Sequence, residues 1–166
     1  MKKIILIMAV IFGFAANANA QAGKSAVGVD FNIGTGDSYT NYGIGAKYQY
    51  GLTDAWRGEV DFNYYFKKDF VTYWDADIDI QYVFNLGAIN VYPLAGLSFI
   101  GMSVDASQLI PGTSTTATSF GMNYGAGIEY PISDSFKLSA EFKGLTGFKS
   151  NWGTRGVISI GATFGF

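Results

Sequence analysis

From residue 24 onward, the chain alternates between apolar residues and polar or small ones. In the stretch 56–66, for example, Val60, Phe62 and Tyr64 alternate with Asp61 and Asn63. A period of two is typical of β-strands, because successive side chains point to opposite faces of a sheet. The pattern predicts eight strands, over residues 24–34, 41–50, 56–66, 72–84, 88–101, 119–130, 136–145 and 154–166. The fifth segment has a blurred alternation, and its predicted apolar face comprises Ile89, Val91, Ala95, Leu97 and Phe99.

The connections between these segments alternate in length. Residues 51–55, 85–87 and 131–135 are short and rich in Gly, Asn, Asp, Ser and Pro, which favour tight turns. Residues 35–40, 67–71, 102–118 and 146–153 are polar and, except for 67–71, longer, and we predict loops there. Eight antiparallel strands place both termini at the end of the short turns. The predicted fold is therefore all-β, an eight-stranded antiparallel up-and-down barrel.

The width of such a barrel decides which face points outward. An eight-stranded barrel has an interior just wide enough for side chains. The face rich in Tyr, Phe, Trp and Ile is too bulky for that interior, whereas Gly, Ser, Asn and charged residues fit. The apolar face of a transmembrane barrel contacts lipid. The sequence thus predicts a transmembrane β-barrel, with aromatic girdles near the strand ends that include Trp152.

The first 20 residues have a different character. Lys2 and Lys3 precede an apolar run over residues 4–16, and Ala18 and Ala20 form an A-x-A cleavage motif. The apolar run is shorter than the roughly 20 residues needed to span a bilayer as a helix. We predict a secretory signal peptide over residues 1–20, cleaved before Gln21, and a single barrel domain over residues 21–166.

Composition and charge narrow the function classes. Aromatic residues make up 17% of the chain and charged residues only 14%, against about 25% charged in typical globular domains. Without Lys2 and Lys3, nine basic residues face 13 acidic ones, a net charge of −4 that argues against a nucleic-acid partner. The chain has no His and no Cys, which removes His-dependent nucleophilic and metal chemistry. We therefore expect no enzyme activity, catalytic residue, metal ligand or cofactor.

The polar face carries charges of both signs. Because buried charges must be paired, we expect these residues to form a network that fills the lumen. Its predicted members are Lys47, Arg57, Glu59, Asp61, Asp75, Asp77, Asp79, Glu129, Lys137, Glu141, Lys143 and Arg155.

The run Asp75-Ala76-Asp77-Ile78-Asp79 is the most suggestive cluster. Alternation puts its three carboxylates on one face, with neighbours roughly 7 Å apart. Such oxygens could bind a hard cation, although Ile80 and Leu86 stand where an EF-hand loop has Gly and Glu. The interpretation favoured by the sequence is that Lys and Arg side chains inside the barrel pair with these three aspartates.

The hairpin turns also predict a register. A hairpin centred on Thr53 sets Lys47 opposite Glu59. A hairpin centred on Ser133 likewise sets Glu129 opposite Lys137. The eighth strand lies opposite the fourth in an eight-stranded ring, so Arg155 is expected to reach across the lumen towards Asp75.

Two turns and the C-terminal strand carry a family resemblance. The turns Tyr50-Gly51-Leu52-Thr53-Asp54 and Tyr130-Pro131-Ile132-Ser133-Asp134, and the strand pattern over 24–166, resemble small eight-stranded outer-membrane barrels of the OmpA transmembrane-domain and OmpX-like group. The end of the chain is similar to that family's assembly signal, with Ser159, Gly161, Phe164 and Phe166 in the matching positions. The resemblance implies a bacterial outer-membrane location with both termini in the periplasm, recognition by the barrel-assembly machinery, contact with outer-membrane lipid, and a monomer.

Two function classes remain open at this point. The first is a non-enzymatic outer-membrane barrel with a structural or surface-interaction role. The second is a narrow porin-like channel or small-molecule binder that uses the charged lumen. A soluble exported carrier of the lipocalin type is a weaker third possibility.

Overall fold

A computed structural model describes residues 23–36, 39–105, 114–149 and 152–166; the predicted signal peptide lies outside these ranges. The strands are β1 Ser25–Gly36, β2 Tyr39–Gly51, β3 Trp56–Lys68, β4 Val71–Tyr82, β5 Phe84–Asn85, β6 Asn90–Asp105, β7 Ser114–Pro131, β8 Phe136–Gly147 and β9 Thr154–Gly165. The two-residue β5 follows β4 and pairs with β6 in the same register as β4 does.

The strands form a closed barrel. Consecutive long strands pair antiparallel, β1 pairs with β9, and β4 pairs with β6 beyond the short β5. Eight long strands therefore complete the ring, and the predicted fold class is confirmed. Among the described residues, no helix is long and apolar enough to cross a membrane.

The two faces of the barrel wall differ sharply in exposure. Ile78 is 66% exposed on the outside, whereas its neighbours Asp77 and Asp79 are 1% and 3% exposed on the inside. Val29 and Phe120, at 65% and 66%, also point outward. Most large apolar residues thus lie outside and most polar ones inside, as the width of the barrel predicts.

Strand β6 and the beginning of β7 depart from the prediction in extent. Residues 102–105 and 114–118 belong to these strands rather than to the predicted loop. Ser103 and Thr116 face each other there and share a hydrogen bond of 3.1 Å between their hydroxyls. Polar residues on both faces removed the alternation signal, although Thr is a good strand former.

The inward row of β6 is more apolar than the sequence predicted. Ala95 and Leu97 are exposed on the outer face, as expected. Tyr92, Leu94 and Ile100 point inward instead, with 1%, 4% and 6% of their surface exposed. The blurred alternation of this segment therefore reflects apolar residues on both faces.

The predicted hairpin registers are wrong by two residues. Lys47 lies opposite Asp61, and Glu129 lies opposite Ser139. In the first turn, the amides of residues 52 and 53 both donate to the Trp56 carbonyl, and the Thr53 hydroxyl accepts from the Trp56 amide at 2.9 Å. The second turn, residues 132–136, repeats this arrangement. Each turn is therefore centred one residue later than predicted, which changes the pairing but preserves the faces.

Large inward side chains lie across the ladder from glycines. Asp79 pairs with Gly96, and Tyr92 pairs with Gly127. A Cβ at Gly127 would overlap the Tyr92 ring, and a Cβ at Gly96 would overlap the Asp79 carboxylate. The absence of a side chain at these positions gives the partner room to cross the narrow interior.

Candidate functional site

The barrel interior contains all twelve charged residues that the sequence placed there. Lys137 and Arg155 are half-buried and the other ten are buried. Three layers can be distinguished along the barrel axis: one near the short turns, a central one, and one near the longer connections.

The central layer is organised by Lys143 of β8. Its Nζ lies 2.6 Å from Asp61 Oδ2, 2.8 Å from Asp79 Oδ2 and 3.3 Å from Asp77 Oδ2. Carboxylate oxygens of Glu141 and Glu59 follow at 3.6 and 4.0 Å. Because β8 lies diametrically opposite β3 in the ring, this side chain crosses the lumen. The cation that the aspartates need is thus supplied from the far wall.

A second buried pair joins β1 and β2. Lys47 Nζ lies 2.8 Å from Asp30 Oδ1 and donates to the Ser139 hydroxyl at 3.3 Å. Asp30 was not among the predicted members of the network, although its position between Val29 and Phe31 puts it on the polar face of β1. Lys47 therefore pairs with this carboxylate rather than with Glu59, which instead accepts a hydrogen bond of 2.6 Å from Gln49 Nε2.

The layer near the short turns centres on Arg57 and Glu129. Arg57 Nη1 lies 2.8 Å from Glu129 Oε1, while its Nε donates to Gln81 Oε1 at 2.6 Å. Lys137 Nζ lies 3.7 Å from Glu129 Oε2, so this predicted pair forms as a diagonal contact in spite of the register error. The Arg57 guanidinium lies over the Tyr92 ring, 5.0 Å from its centroid.

The layer near the longer connections is apolar at its centre. Tyr65, Ile100, Leu145 and Val157 form a buried cluster, and Tyr73 and Trp152 pack against it. Trp152 therefore lies on this cluster rather than in the predicted outer girdle. Knowing which face a residue occupies does not reveal this apolar layer. An apolar residue at an inward position, such as Val157, was the one feature of the sequence that indicated it.

Arg155 meets aromatic rings rather than its predicted partner. Its guanidinium carbon lies 3.8 Å from the Tyr65 ring centroid and 4.9 Å from that of Tyr73, and Nη2 donates to Asn41 Oδ1 at 2.7 Å. The side chain does reach β3 and β4. The expected ion pair with Asp75 does not form, because the guanidinium packs against the two rings and donates to Asn41 instead.

Asp75 is held by an amide. Asn63 Nδ2 donates to Asp75 Oδ1 at 2.7 Å and to Asp61 Oδ1 at 2.6 Å, while Asn63 Oδ1 accepts from Asn32 at 2.6 Å. Two carboxylate triads bring oxygens within 4.8 Å of one another: Glu59, Asp61 and Asp79, and Asp61, Asp75 and Asp77. Lys143 contacts every member of the first triad, but only two members of the second.

Carboxylates outnumber cations in the described interior. Eight inward carboxylates, Asp30 and the seven predicted ones, face five cations, Lys47, Arg57, Lys137, Lys143 and Arg155. The excess is concentrated around Lys143, which contacts five carboxylates. The central lumen is therefore strongly acidic.

The residues of the predicted assembly signal lie on β9 and just beyond it. Ser159 is buried on the inner face, next in line to Gly161, whereas Phe164 and Phe166 are 54% and 53% exposed on the outside. The Phe166 amide donates to the Ser25 carbonyl at 2.9 Å. The end of the chain thus completes the seam between β9 and β1 and presents two rings outward.

A closed ring of strands with an apolar exterior and a charged, filled interior is the architecture of a small transmembrane β-barrel. Residues 6–166 match the family model of the outer membrane protein beta-barrel domain. The chain belongs to this family, which places it in the bacterial outer membrane and confirms the resemblance noted in the sequence. No curated protein sequence matches the chain significantly.

Solved barrels share the fold. The N-terminal β-barrel domain of OprF from Pseudomonas aeruginosa is 21% identical, covering 87% of this chain and 99% of that chain with a TM-score of 0.67. Neisserial surface protein A is 19% identical, covering 90% and 100% with a TM-score of 0.71. Ail, the attachment invasion locus protein of Yersinia pestis, is 19% identical, covering 87% and 99% with a TM-score of 0.61.

Proposed function

We propose that the protein is a non-enzymatic, closed outer-membrane barrel with a structural or surface-interaction role. The observation that carries this proposal is the filled interior. From one end to the other, the Arg57–Glu129 pair, the Lys143 cluster and the apolar layer around Tyr65 succeed one another, each of them buried. In this proposal the charges stabilise the barrel rather than line a path.

The chemistry of the interior supports the non-enzymatic part of the proposal. The chain has no His and no Cys, and most of the charged groups of the interior contact one another. The Tyr92 hydroxyl donates to Glu141 Oε2 at 2.9 Å, which is a supporting contact between buried groups. A nucleophile and its general base need access to a substrate, and these groups are covered by the layers above and below.

The β6–β7 hairpin supports a surface-interaction role. These are the longest strands, with 16 and 18 residues, and residues 114–116 at the start of β7 are exposed. With the short turns and both termini in the periplasm, this hairpin rises on the cell surface. Ail is described as an attachment invasion locus protein and has been solved with the heparin analogue sucrose octasulfate. We propose a monomer that contacts outer-membrane lipid and is assembled by the barrel-assembly machinery through its C-terminal strand.

Conductance across planar bilayers tests the closed interior. Refolded mature protein should give no stable openings, because each layer excludes an aqueous path. A Tyr65→Ala/Tyr92→Ala double variant, which removes the two large rings, serves as a positive control and should conduct more. Sizeable openings from the unmodified protein would overturn the proposal and favour the narrow channel, for which the acidic central lumen predicts cation selectivity.

A shortened hairpin separates the structural role from the surface role. Replacing residues 104–115 with a short Gly-containing turn should leave the barrel assembled, because β4 loses only its terminal pair with β6, Val71 with Val104, and the ladders of β8 are untouched. If the role is surface interaction, this variant loses adhesion while its outer-membrane level stays normal. If the role is structural, we expect both the intact chain and the variant to restore detergent resistance to cells that lack the protein.

A further inference from the structure

The carboxylates of Asp61, Asp75 and Asp77 form a compact oxygen cluster on the walls of β3 and β4. One oxygen from each lies within 4.8 Å of the others. All three side chains are buried, with 5%, 1% and 1% exposed. Asn63 fixes two of them, because its Nδ2 donates to Asp61 Oδ1 and Asp75 Oδ1. We refer to these three carboxylates as the Asp75 cluster.

The protein's own cations satisfy only one side of this cluster. Lys143 contacts the Oδ2 atoms of Asp61 and Asp77. Asp77 Oδ1 and Asp75 Oδ2 are buried and have no hydrogen-bond partner, and no described Lys or Arg lies within 4.0 Å of Asp75. Carboxylate oxygens without a positive charge or donor are costly to bury. A compensating positive charge is therefore expected on the side away from Lys143.

The next inward residue of β3 carries a buried neutral oxygen. The Tyr65 side chain is 0% exposed, and its hydroxyl has no hydrogen-bond partner. It is the next inward residue after Asn63 on β3, and Asn63 lies directly opposite Asp75 in the ladder between β3 and β4. A buried hydroxyl oxygen without a partner is an independent indication that something belongs here.

We propose that the Asp75 cluster binds one hard divalent cation, for which Ca²⁺ is the appropriate probe. Asp75 Oδ2, Asp77 Oδ1 and an Asp61 oxygen would supply the charged ligands, with the Tyr65 hydroxyl beside them. Ca²⁺ takes six to eight oxygens in flexible geometry, so water completes the set. The cation balances the carboxylates that Lys143 leaves without a partner. Because the layers above and below cover the site, the cation enters while the barrel folds.

The metal content of the refolded barrel tests this proposal. Mature protein is refolded into phosphatidylcholine vesicles, which carry no net charge, in the presence of either Ca²⁺ or a chelator, and is then desalted. We expect about one Ca²⁺ per chain after refolding with Ca²⁺, and none when Ca²⁺ is added after refolding with chelator. Asp75→Asn keeps the shape and removes the charge, so it should weaken retention at least about tenfold. Asp134→Asn, in an exposed turn, is the matched control and should retain the ion.

Three results would overturn the proposal. The first is an intact barrel that retains no Ca²⁺ after either treatment. The second is equal retention by Asp75→Asn and Asp134→Asn, which would place any bound ion elsewhere. The third is an Asp75→Asn variant that resists urea better than the unmodified barrel whether or not Ca²⁺ was present, because the Asp75 carboxylate would then lack compensation even with Ca²⁺ available and no ion would be bound to it. Folding of each variant is checked by its heat-modifiable mobility in gels.

Discussion

Replacing Lys143 with Met removes the cation that joins β8 to β3 and β4. The Lys143 side chain is 5% exposed, and three aspartate oxygens lie 2.6, 2.8 and 3.3 Å from its ammonium. Breaking a buried ion pair from one side costs about 3–5 kcal/mol, because the remaining charge stays buried without compensation. Several carboxylates lose their partner here, so we expect the loss in unfolding free energy to reach at least that range.

Lys67→Met is a matched control for this substitution. Its ammonium lies 2.9 Å from Asp105, but the two side chains are 40% and 46% exposed, and exposed pairs contribute under about 1 kcal/mol. Urea unfolding of both variants in lipid vesicles, followed by Trp fluorescence, gives the comparison. The deficit of Lys143→Met should shrink in acid, since protonated carboxylates need no cation. If Lys143→Met were no more destabilising than Lys67→Met, the buried network would not stabilise the barrel.

Four further substitutions probe other parts of the structure. Phe166→Asp should lower the outer-membrane level of the protein and leave export intact, as measured by cell fractionation; unchanged levels would argue against the assembly signal. Lys47→Ala should cost about 3–5 kcal/mol in urea unfolding because its carboxylate partner stays buried, and unchanged stability would contradict the inward placement. Gly127→Ala should destabilise by about 1–3 kcal/mol because its methyl group overlaps the Tyr92 ring. Gly58→Ala, with open space around its Cβ, should be neutral or stabilise by up to about 1 kcal/mol; equal effects of the two glycine substitutions would refute the steric reasoning.

Period-two alternation was enough to predict the faces and most of the interior residues. It holds along each strand whatever the register, so Lys143 and Asp77 could be placed inside without knowing which strand faces which. The register itself depends on turn geometry. The Thr53 hydroxyl accepts from the Trp56 amide, so the turn extends to Trp56. The prediction treated the turn as symmetric about Thr53 and therefore placed its centre one residue too early.

Depth along the barrel axis was not predictable in the same way. Alternation tells which face a residue occupies but not where the interior changes from charged to apolar. Tyr65 and Leu145 lie on the polar face near the longer connections, and their clustering with Val157 depends on how far each strand is shifted against its neighbours. The placement of Arg155 between tyrosine rings follows from that cluster, so its partner was missed as well.

The ion pairs of Lys143 have a consequence for the order of assembly. They join β8 to β3 and β4, which are not its neighbours in the sheet, and the Lys143–Asp61 contact spans 82 residues of chain. No hairpin and no open sheet can contain these contacts, so they form only when β9 meets β1 and the ring closes. Interactions that are absent until late in folding slow unfolding more than they accelerate folding. The charged interior should therefore give the inserted barrel a long lifetime while leaving the early steps of its assembly unaffected.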